Sequence, residues 1–178
     1  MAFEGHIGIF GQTFTGKSYL GKKLYAERYL KAGINVLVLD ANYDEWPCTW
    51  KTDDFEEFYR AARLNPSSFC IIDEGAETLD WYDERANWFA NRSRHFGNRC
   101  LFVTQRPAGF STNIRGQISV VHCFFLNQKR DAQACEEISG IPWRLPLALP
   151  FYQFYTWKAR EGRKPPVLQS LKVDGETA

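Results

Sequence analysis

The sequence lacks several features that would place it in a specialised class of protein. Its five cysteines are odd in number and form no C-x-x-C pair, and its three histidines show no metal-ligand spacing, so we expect neither disulfides nor zinc. No apolar run approaches the ~20 residues that span a bilayer, and the first residues show no signal-peptide pattern. The formal net charge is only +1, so contact with nucleic acid would require local positive charge. These absences predict one soluble domain in the cytoplasm.

Apolar runs alternate with segments of helical periodicity over most of the 178 residues. The runs that predict strands are 6–10, 34–39, 68–72, 100–105 and 120–126. Helical spacing predicts helices over about 18–31, from a cap at Thr52 or Asp53 to Asn65-Pro66, and over about 81–95. The alternation predicts an α/β domain with a mostly parallel sheet flanked by helices. Residues 1–145 would form its core, and residues 146–178 a terminal strand or hairpin and a basic tail of the same domain.

A phosphate-binding pattern lies between the first predicted strand and the first predicted helix. The residues Gly11-Gln12-Thr13-Phe14-Thr15-Gly16-Lys17-Ser18 fit the Walker A pattern G-x-x-x-x-G-K-[ST]. Its glycines let consecutive backbone N–H groups and the positive end of the helix dipole face one phosphate. Lys17 would contact the β- and γ-phosphates of ATP, and Ser18 would bind Mg²⁺. A Gly-rich turn before a surface helix is the weaker alternative, because the strand-loop-helix context that the motif requires is present.

Two acids follow the third predicted strand, where a parallel α/β sheet builds its ligand site. Asp73 would help to hold Mg²⁺, as a Walker B residue does, and Glu74 would polarise the water that attacks the γ-phosphate. An acidic turn after a strand is the alternative interpretation. Asp40, Asp44 and Glu45 form a further acidic loop, which we expect to be exposed rather than to face the nucleotide.

Gln105 and two arginines complete the candidate catalytic residues. Gln105 ends the strand after the acids, and it would lie beside Glu74 if that strand is placed between the first and the third. It would then sense the γ-phosphate or orient the water; otherwise it is a strand-end amide that satisfies loop backbone. Arg94 is favoured over Arg92 as an arginine donated in trans to a neighbouring subunit, and a solvated helix face is the alternative. Arg106 and Arg115 are weaker candidates.

This order of motifs resembles the RecA-like, additional-strand, catalytic-glutamate class of P-loop ATPases. Within it, the runs 94–97 (Arg-His-Phe-Gly) and 101–107 (Leu-Phe-Val-Thr-Gln-Arg-Pro), then Ile114-Arg115, resemble the FtsK-HerA superfamily of DNA-pumping motors. The resemblance covers about residues 5–140, and at this length the chain is most similar to the compact genome-packaging ATPases of tailless, internal-membrane viruses.

The resemblance implies a hexameric ring that hydrolyses ATP with Mg²⁺ and moves double-stranded DNA into a capsid. A neighbour's Arg94 would complete each site, and the ring would act at a capsid or membrane-associated packaging vertex protein. The protein would then be found in the cytoplasm of the host cell, in the virion, or in both.

Two rival functions remain at this stage. A nucleoside or nucleotide kinase also combines a phosphate loop with a strand-end acid, although thymidine kinases usually carry a C-x-x-C zinc element that this sequence lacks. A nucleotide-gated structural module would bind ATP without turnover. Lys17, Asp73 and Glu74 argue against the module, because a protein that only binds nucleotide has no need of a catalytic glutamate.

Overall fold

A computed structural model describes residues 5–80, 83–162 and 164–171, and within them one eight-stranded sheet runs through the chain. Its strands are β1 (His6–Phe10), β2 (Val36–Leu39), β3 (Trp50–Thr52), β4 (Phe69–Ile72), β5 (Arg99–Thr104), β6 (Ile118–Cys123), β7 (Gln153–Lys158) and β8 (Val167–Ser170). The first, second and fourth strands are buried along their whole length, as expected for apolar runs covered on both faces.

The strand order is β3-β2-β4-β5-β1-β6-β7-β8. Neighbours from β3 to β6 pair in parallel, while β7 pairs antiparallel with both β6 and β8. The sheet is therefore mostly parallel, and its α/β class is confirmed. The strand that carries Gln105 lies between β1 and β4, so the condition placed on Gln105 is also met. All the parallel strands end at one edge, where the phosphate loop and the acidic pair both begin.

Helices cover both faces of the sheet. The helix after the phosphate loop is continuous and consists of α1 (Lys17–Leu20), a π-helical segment (Gly21–Ala26) and α2 (Glu27–Lys31). It packs with Trp46 on one face, against the cluster that includes Ile9, Val38 and Leu101. The other face is covered mainly by α3 (Phe55–Leu64), α5 (Glu84–Asn91), α6 (Thr112–Arg115) and α7 (Lys129–Ser139). The short helix α4 (Gly75–Thr78) follows β4.

Several boundaries differ from the sequence prediction. The N-cap of α3 is Asp54, whose carboxylate accepts from the Glu57 N–H, so the choice of Thr52 or Asp53 was wrong. The segment expected to be one helix to residue 95 is α5 followed by a 3₁₀ turn, Ser93–Phe96, and residues 81 and 82 lie outside the described part. The strand β3 lies in a segment for which the sequence analysis predicted no strand. Three elements, α4, α6 and α7, were not predicted, because two are single turns and α7 buries mostly small residues.

The described segments contain no helix that combines the length and the hydropathy needed to cross a membrane. All five cysteines lie within these segments and are free thiols, and four of them are buried. The thiols act as small core side chains, as the sequence indicated.

Asn98 joins the helical layer to the sheet. Its amide nitrogen donates to the Ala62 carbonyl oxygen (2.7 Å), and its amide oxygen accepts from the Ser68 N–H (2.9 Å), in a fully buried position. The side chain thereby fixes the end of α3 to the start of β4.

Replacing Asn98 with Ala should lower the free energy of unfolding by about 2–4 kcal/mol, because each buried group left without a partner costs about 1–3 kcal/mol. Urea unfolding measures the change. Asn113→Ala, at an exposed position of α6, is the matched control and should change stability by less than about 0.5 kcal/mol. Equal stability of the two variants would contradict this role of Asn98.

Candidate active site

The phosphate loop is fixed to its two neighbouring strands. The Gly11 N–H donates to the Thr104 carbonyl at the end of β5 (3.2 Å), and the Gln12 N–H donates to the Phe125 carbonyl after β6 (2.9 Å). Gly16 has a φ of 103°, which glycine tolerates and a residue with a Cβ does not. The loop is thus already curled around the amino end of α1, where Lys17 and Ser18 lie in the first turn.

Lys17 is buried inside this loop. Only 6% of the residue is exposed, its Nζ donates to the Gln12 carbonyl oxygen (3.1 Å), and it lies 3.9 Å from Glu74 Oε1. Burial lowers the pKa of the ammonium, and the charges of Glu74 and Asp73 oppose that shift. The lysine therefore stands between the loop and the acidic pair, in position to meet the phosphates of a nucleotide.

Asp73 is held in a buried position at the end of β4. Its Oδ2 accepts from the indole Nε1–H of Trp46 (3.0 Å), and its Oδ1 accepts from the Glu74 N–H (3.0 Å). Burial raises the pKa of Asp73 to about 6, with Glu74 and Asp40 adding to the shift and the Trp46 hydrogen bond opposing it.

The residues at this point fit Mg²⁺. Mg²⁺ prefers oxygen ligands and is commonly held by one or two protein groups together with substrate phosphates. Asp73 offers a carboxylate and Ser18 offers a hydroxyl, and both are oxygen ligands of the kind that Mg²⁺ prefers. A cation would also offset the cost of burying the Asp73 charge, which the raised pKa expresses.

Glu74 and Gln105 form a hydrogen-bonded pair across two adjacent strands. Gln105 Nε2 donates to Glu74 Oε1 (3.1 Å), and the Gln105 backbone N–H lies 3.3 Å from Glu74 Oε2. The hydroxyl of Thr13 in the phosphate loop donates to Gln105 Oε1 (2.9 Å). Glu74 itself has a φ of 46°, a conformation that is uncommon outside glycine. The arrangement links the phosphate loop to the acid through a single amide side chain.

The cleft above these residues has a volume of about 550 Å³. It is lined by Gln12, Asn42, Glu74, Glu77, Gln105 and Arg106, among others. Glu77 was missed by the sequence analysis, although it is the third acid of Asp-Glu-Gly-Ala-Glu; its pKa is raised, mainly by burial. Trp46 was also missed as a partner of Asp73, because it lies in a segment without helical or strand periodicity.

The acidic loop after β2 differs from expectation. Asp40 is buried rather than exposed, accepts from the Asn42 N–H (2.8 Å), and lies 3.6 Å from Lys51 Nζ. Asp44 is half-buried and acts on the Lys17 charge, while Glu45 is exposed. The prediction of an exposed loop was therefore wrong for Asp40, because its carboxylate is used to cap the turn.

The arginine candidates lie at two different edges of the sheet. Arg94 is exposed on the 3₁₀ turn before β5, and it lines a cleft of about 590 Å³ together with Arg115 and the first residues of β1 and β6. That is the amino edge, opposite to the phosphate loop. Arg92, also exposed, ends α5 on the same side. Arg106 alone of the four lies at the nucleotide cleft, where it pairs with the buried Asp131 (3.3 Å).

Comparison with known proteins agrees with this geometry. The family model described as "Helicase HerA, central domain" matches residues 2–70, the part that contains the phosphate loop and β1 to β3 and ends within β4. The match covers fewer than half of the 178 residues, and it shows similarity to that domain over this part of the chain. No curated protein matches the sequence.

Solved structures match this chain over nearly its whole length. The genome packaging NTPase B204 from Sulfolobus turreted icosahedral virus 2, in complex with AMPPCP, superposes with a TM-score of 0.78 at 14% identity, covering 96% of this chain and 99% of that one. The DNA-packaging ATPase B204 from Sulfolobus turreted icosahedral virus gives 0.76 at 17% identity, covering 97% and 98%. VirB4 of Thermoanaerobacter pseudethanolicus gives 0.70 at 8% identity, covering 96% and 90%. At these identities the matches establish the shared fold.

The Asp73 carboxyl should make the stability of the nucleotide-free protein depend on pH. Its pKa rises from 3.8 in the unfolded chain to about 6 in the fold, so its contribution to stability is present below pH 4 and is lost as the pH rises through 6. Between pH 5 and 8, the free energy of unfolding of wild type should fall by roughly 1–2 kcal/mol relative to that of Asp73→Asn, because the asparagine cannot ionise.

Urea unfolding of both proteins without Mg²⁺, at several pH values, measures this difference. Asp80→Asn, an exposed aspartate after α4, is the control and should run parallel to wild type. The elevated pKa would be refuted if the free energy of unfolding of wild type and that of Asp73→Asn depend on pH in the same way.

Proposed function

We propose that this ATPase is a double-stranded DNA translocase that packages a viral genome into a capsid and hydrolyses ATP at the subunit interfaces of a hexameric ring. The observation that carries the proposal is the mutual coverage with the packaging NTPase B204, 96% of this chain and 99% of that one. The two chains share one compact core without a large insertion in either. The proposal places the protein in the host cytoplasm, in the virion, or in both, with a capsid or packaging-vertex protein as a further partner.

The residues of the cleft divide the chemistry of hydrolysis between them. The backbone N–H groups of Gly11 to Ser18 and the Lys17 ammonium bind the substrate phosphates. Mg²⁺, held by Ser18 and Asp73, would supply positive charge that stabilises the developing charge on the phosphoryl oxygens. Glu74 accepts the proton of the attacking water, at a carboxylate that Gln105 already orients by hydrogen bonding.

The position of Arg94 supports a shared site. It lies at the amino edge of the sheet, away from the cleft of its own chain, so it would act on a nucleotide only across a subunit interface. An arginine supplied in trans stabilises the charge of the transition state and is worth about 10³–10⁵ in rate. In a ring, that dependence would tie hydrolysis at one site to the placement of the next subunit on DNA.

ATP hydrolysis with and without double-stranded DNA tests the proposal in four samples: wild type, Glu74→Gln, Arg94→Ala and an equimolar mixture of the two variants. DNA should stimulate wild type, and each single variant should lose at least about 100-fold in rate. Mixing should restore part of the activity, because an Arg94→Ala subunit retains Glu74 and receives Arg94 from its neighbour. Arg92→Ala is the matched control and should remain active.

The proposed translocase would be rejected if the rate of hydrolysis is unchanged by DNA and by mixing the two variants, and if the protein stays monomeric with ATP and DNA. Transfer of phosphate to an added nucleoside would then identify the rival kinase.

A further inference from the structure

Two neighbouring aromatic side chains are exposed in the turn that precedes β7. Phe151 is 53% exposed and Tyr152 is 48% exposed. Tyr152 also has a φ of 65°, and a bulky residue in this left-handed conformation is a genuine outlier. The surrounding structure fixes the conformation, because the Leu171 N–H after β8 donates to the Tyr152 carbonyl oxygen (2.8 Å). Backbone strain of this kind persists only where the surrounding structure fixes it, and it is concentrated at active sites and ligand-binding segments.

This turn lies directly against the phosphate loop. A Cβ built on Gly16 would lie 2.2 Å from Leu171 Cδ1 and 3.6 Å from Tyr152 Cδ1. The first part of the loop is attached to the same region, since the Gln12 N–H donates to the Phe125 carbonyl and the Phe125 ring lies 5.9 Å from that of Phe151. The terminal hairpin therefore forms a wall beside the residue that precedes Lys17.

The catalytic groups determine which end of a nucleotide faces this wall. Glu74 and Gln105 follow β4 and β5, which lie on one side of β1, and they mark the position of the γ-phosphate. Tyr152 directly precedes β7 and Leu171 directly follows β8, and both strands lie on the other side of β1, beyond β6. A triphosphate that lies across the loop with its γ-phosphate toward Glu74 must direct its nucleoside toward Tyr152.

We propose that Tyr152, supported by Leu171, is the platform on which the base of the bound nucleoside triphosphate stacks. The inference rests on the proposed use of this loop for ATP and extends it to the nucleoside. Stacking on an aromatic ring strengthens binding of a base, and it tolerates different bases because each has a π-face. The platform would thus raise the affinity for nucleotides with any base, and it would contribute little to selectivity between bases. The phenol hydroxyl is not required.

Equilibrium binding of ATP and of inorganic tripolyphosphate to the full chain, by calorimetry, tests the platform. Tyr152→Ala should weaken ATP binding about tenfold and leave tripolyphosphate binding unchanged, because only ATP carries a base. Tyr152→Phe should bind both as wild type does. Tyr43→Ala is the matched control: Tyr43 is 74% exposed with a φ of 59°, but it follows β2, on the far side of Glu74. It should bind both ligands normally.

Tyr152→Gly separates ligand binding from folding. Glycine accepts the φ of 65° without strain, so this variant should melt at the wild-type temperature or above it and still bind ATP about tenfold more weakly.

Two results would overturn the platform while leaving the phosphate site intact: unchanged ATP affinity in Tyr152→Ala, or equal losses for ATP and tripolyphosphate. A wild-type protein that binds neither ligand would overturn the nucleotide site itself, and with it the proposed function.

Discussion

The placement of β5 between β1 and β4 is the constraint on which the active site depends. Parallel pairing on both sides of β5 brings the ends of three strands to one edge, so Gly11, Glu74 and Gln105 leave the sheet side by side. The Gly11 N–H bonds the last carbonyl of β5, and the next residue of that strand bonds Glu74. Because the Thr13 hydroxyl also reaches Gln105, a change in the phosphate loop acts on the catalytic acid through two hydrogen bonds.

The site is maintained at a cost to the fold. Lys17 and Asp73 are charged groups with 6% and 3% exposure, and Glu74 holds a backbone conformation that costs about 1–3 kcal/mol. The surrounding core offsets these costs. The indole of Trp46 donates to Asp73 from the sheet face that α1 and α2 cover, and it packs against Gly21 of the helix that contains them. Substrate phosphates and a cation would neutralise both buried charges. The same groups therefore disfavour the empty fold and favour its complex with nucleotide.

Local motifs were readable from the sequence, and so was the Glu74–Gln105 contact once β5 was assumed to lie between β1 and β4, whereas the other long-range contacts of the site were not. The phosphate loop and the Asp73-Glu74 pair occupy contiguous residues after apolar runs, so strand, turn and ligand type could be read together. The Trp46–Asp73 bond joins residues in a loop without periodicity, and nothing near Tyr152 indicates that it borders Gly16. The helix α7 was missed because Ala132, Cys135 and Ser139 form its buried stripe, and Asp131 is buried beside them through its bonds to Arg106 and the Ala108 N–H. Small residues give weak hydrophobic periodicity.

The distribution of charge over the sheet bears on how such a chain would act as a motor. Its carboxyl edge carries the phosphate loop and acids that include Asp73, Glu74 and Glu77, whereas Arg94 and Arg115 lie at the amino edge, beside the cleft of about 590 Å³, where Arg115 forms an ion pair with Glu137. The two edges of one rigid sheet cannot meet within one chain, so Arg94 can approach a phosphate loop only in another copy. Head-to-tail contact between copies satisfies both edges, and repeated contact of that kind closes into a ring when the rotation permits. Under the proposed function, hydrolysis would therefore depend on the same contact that builds the ring.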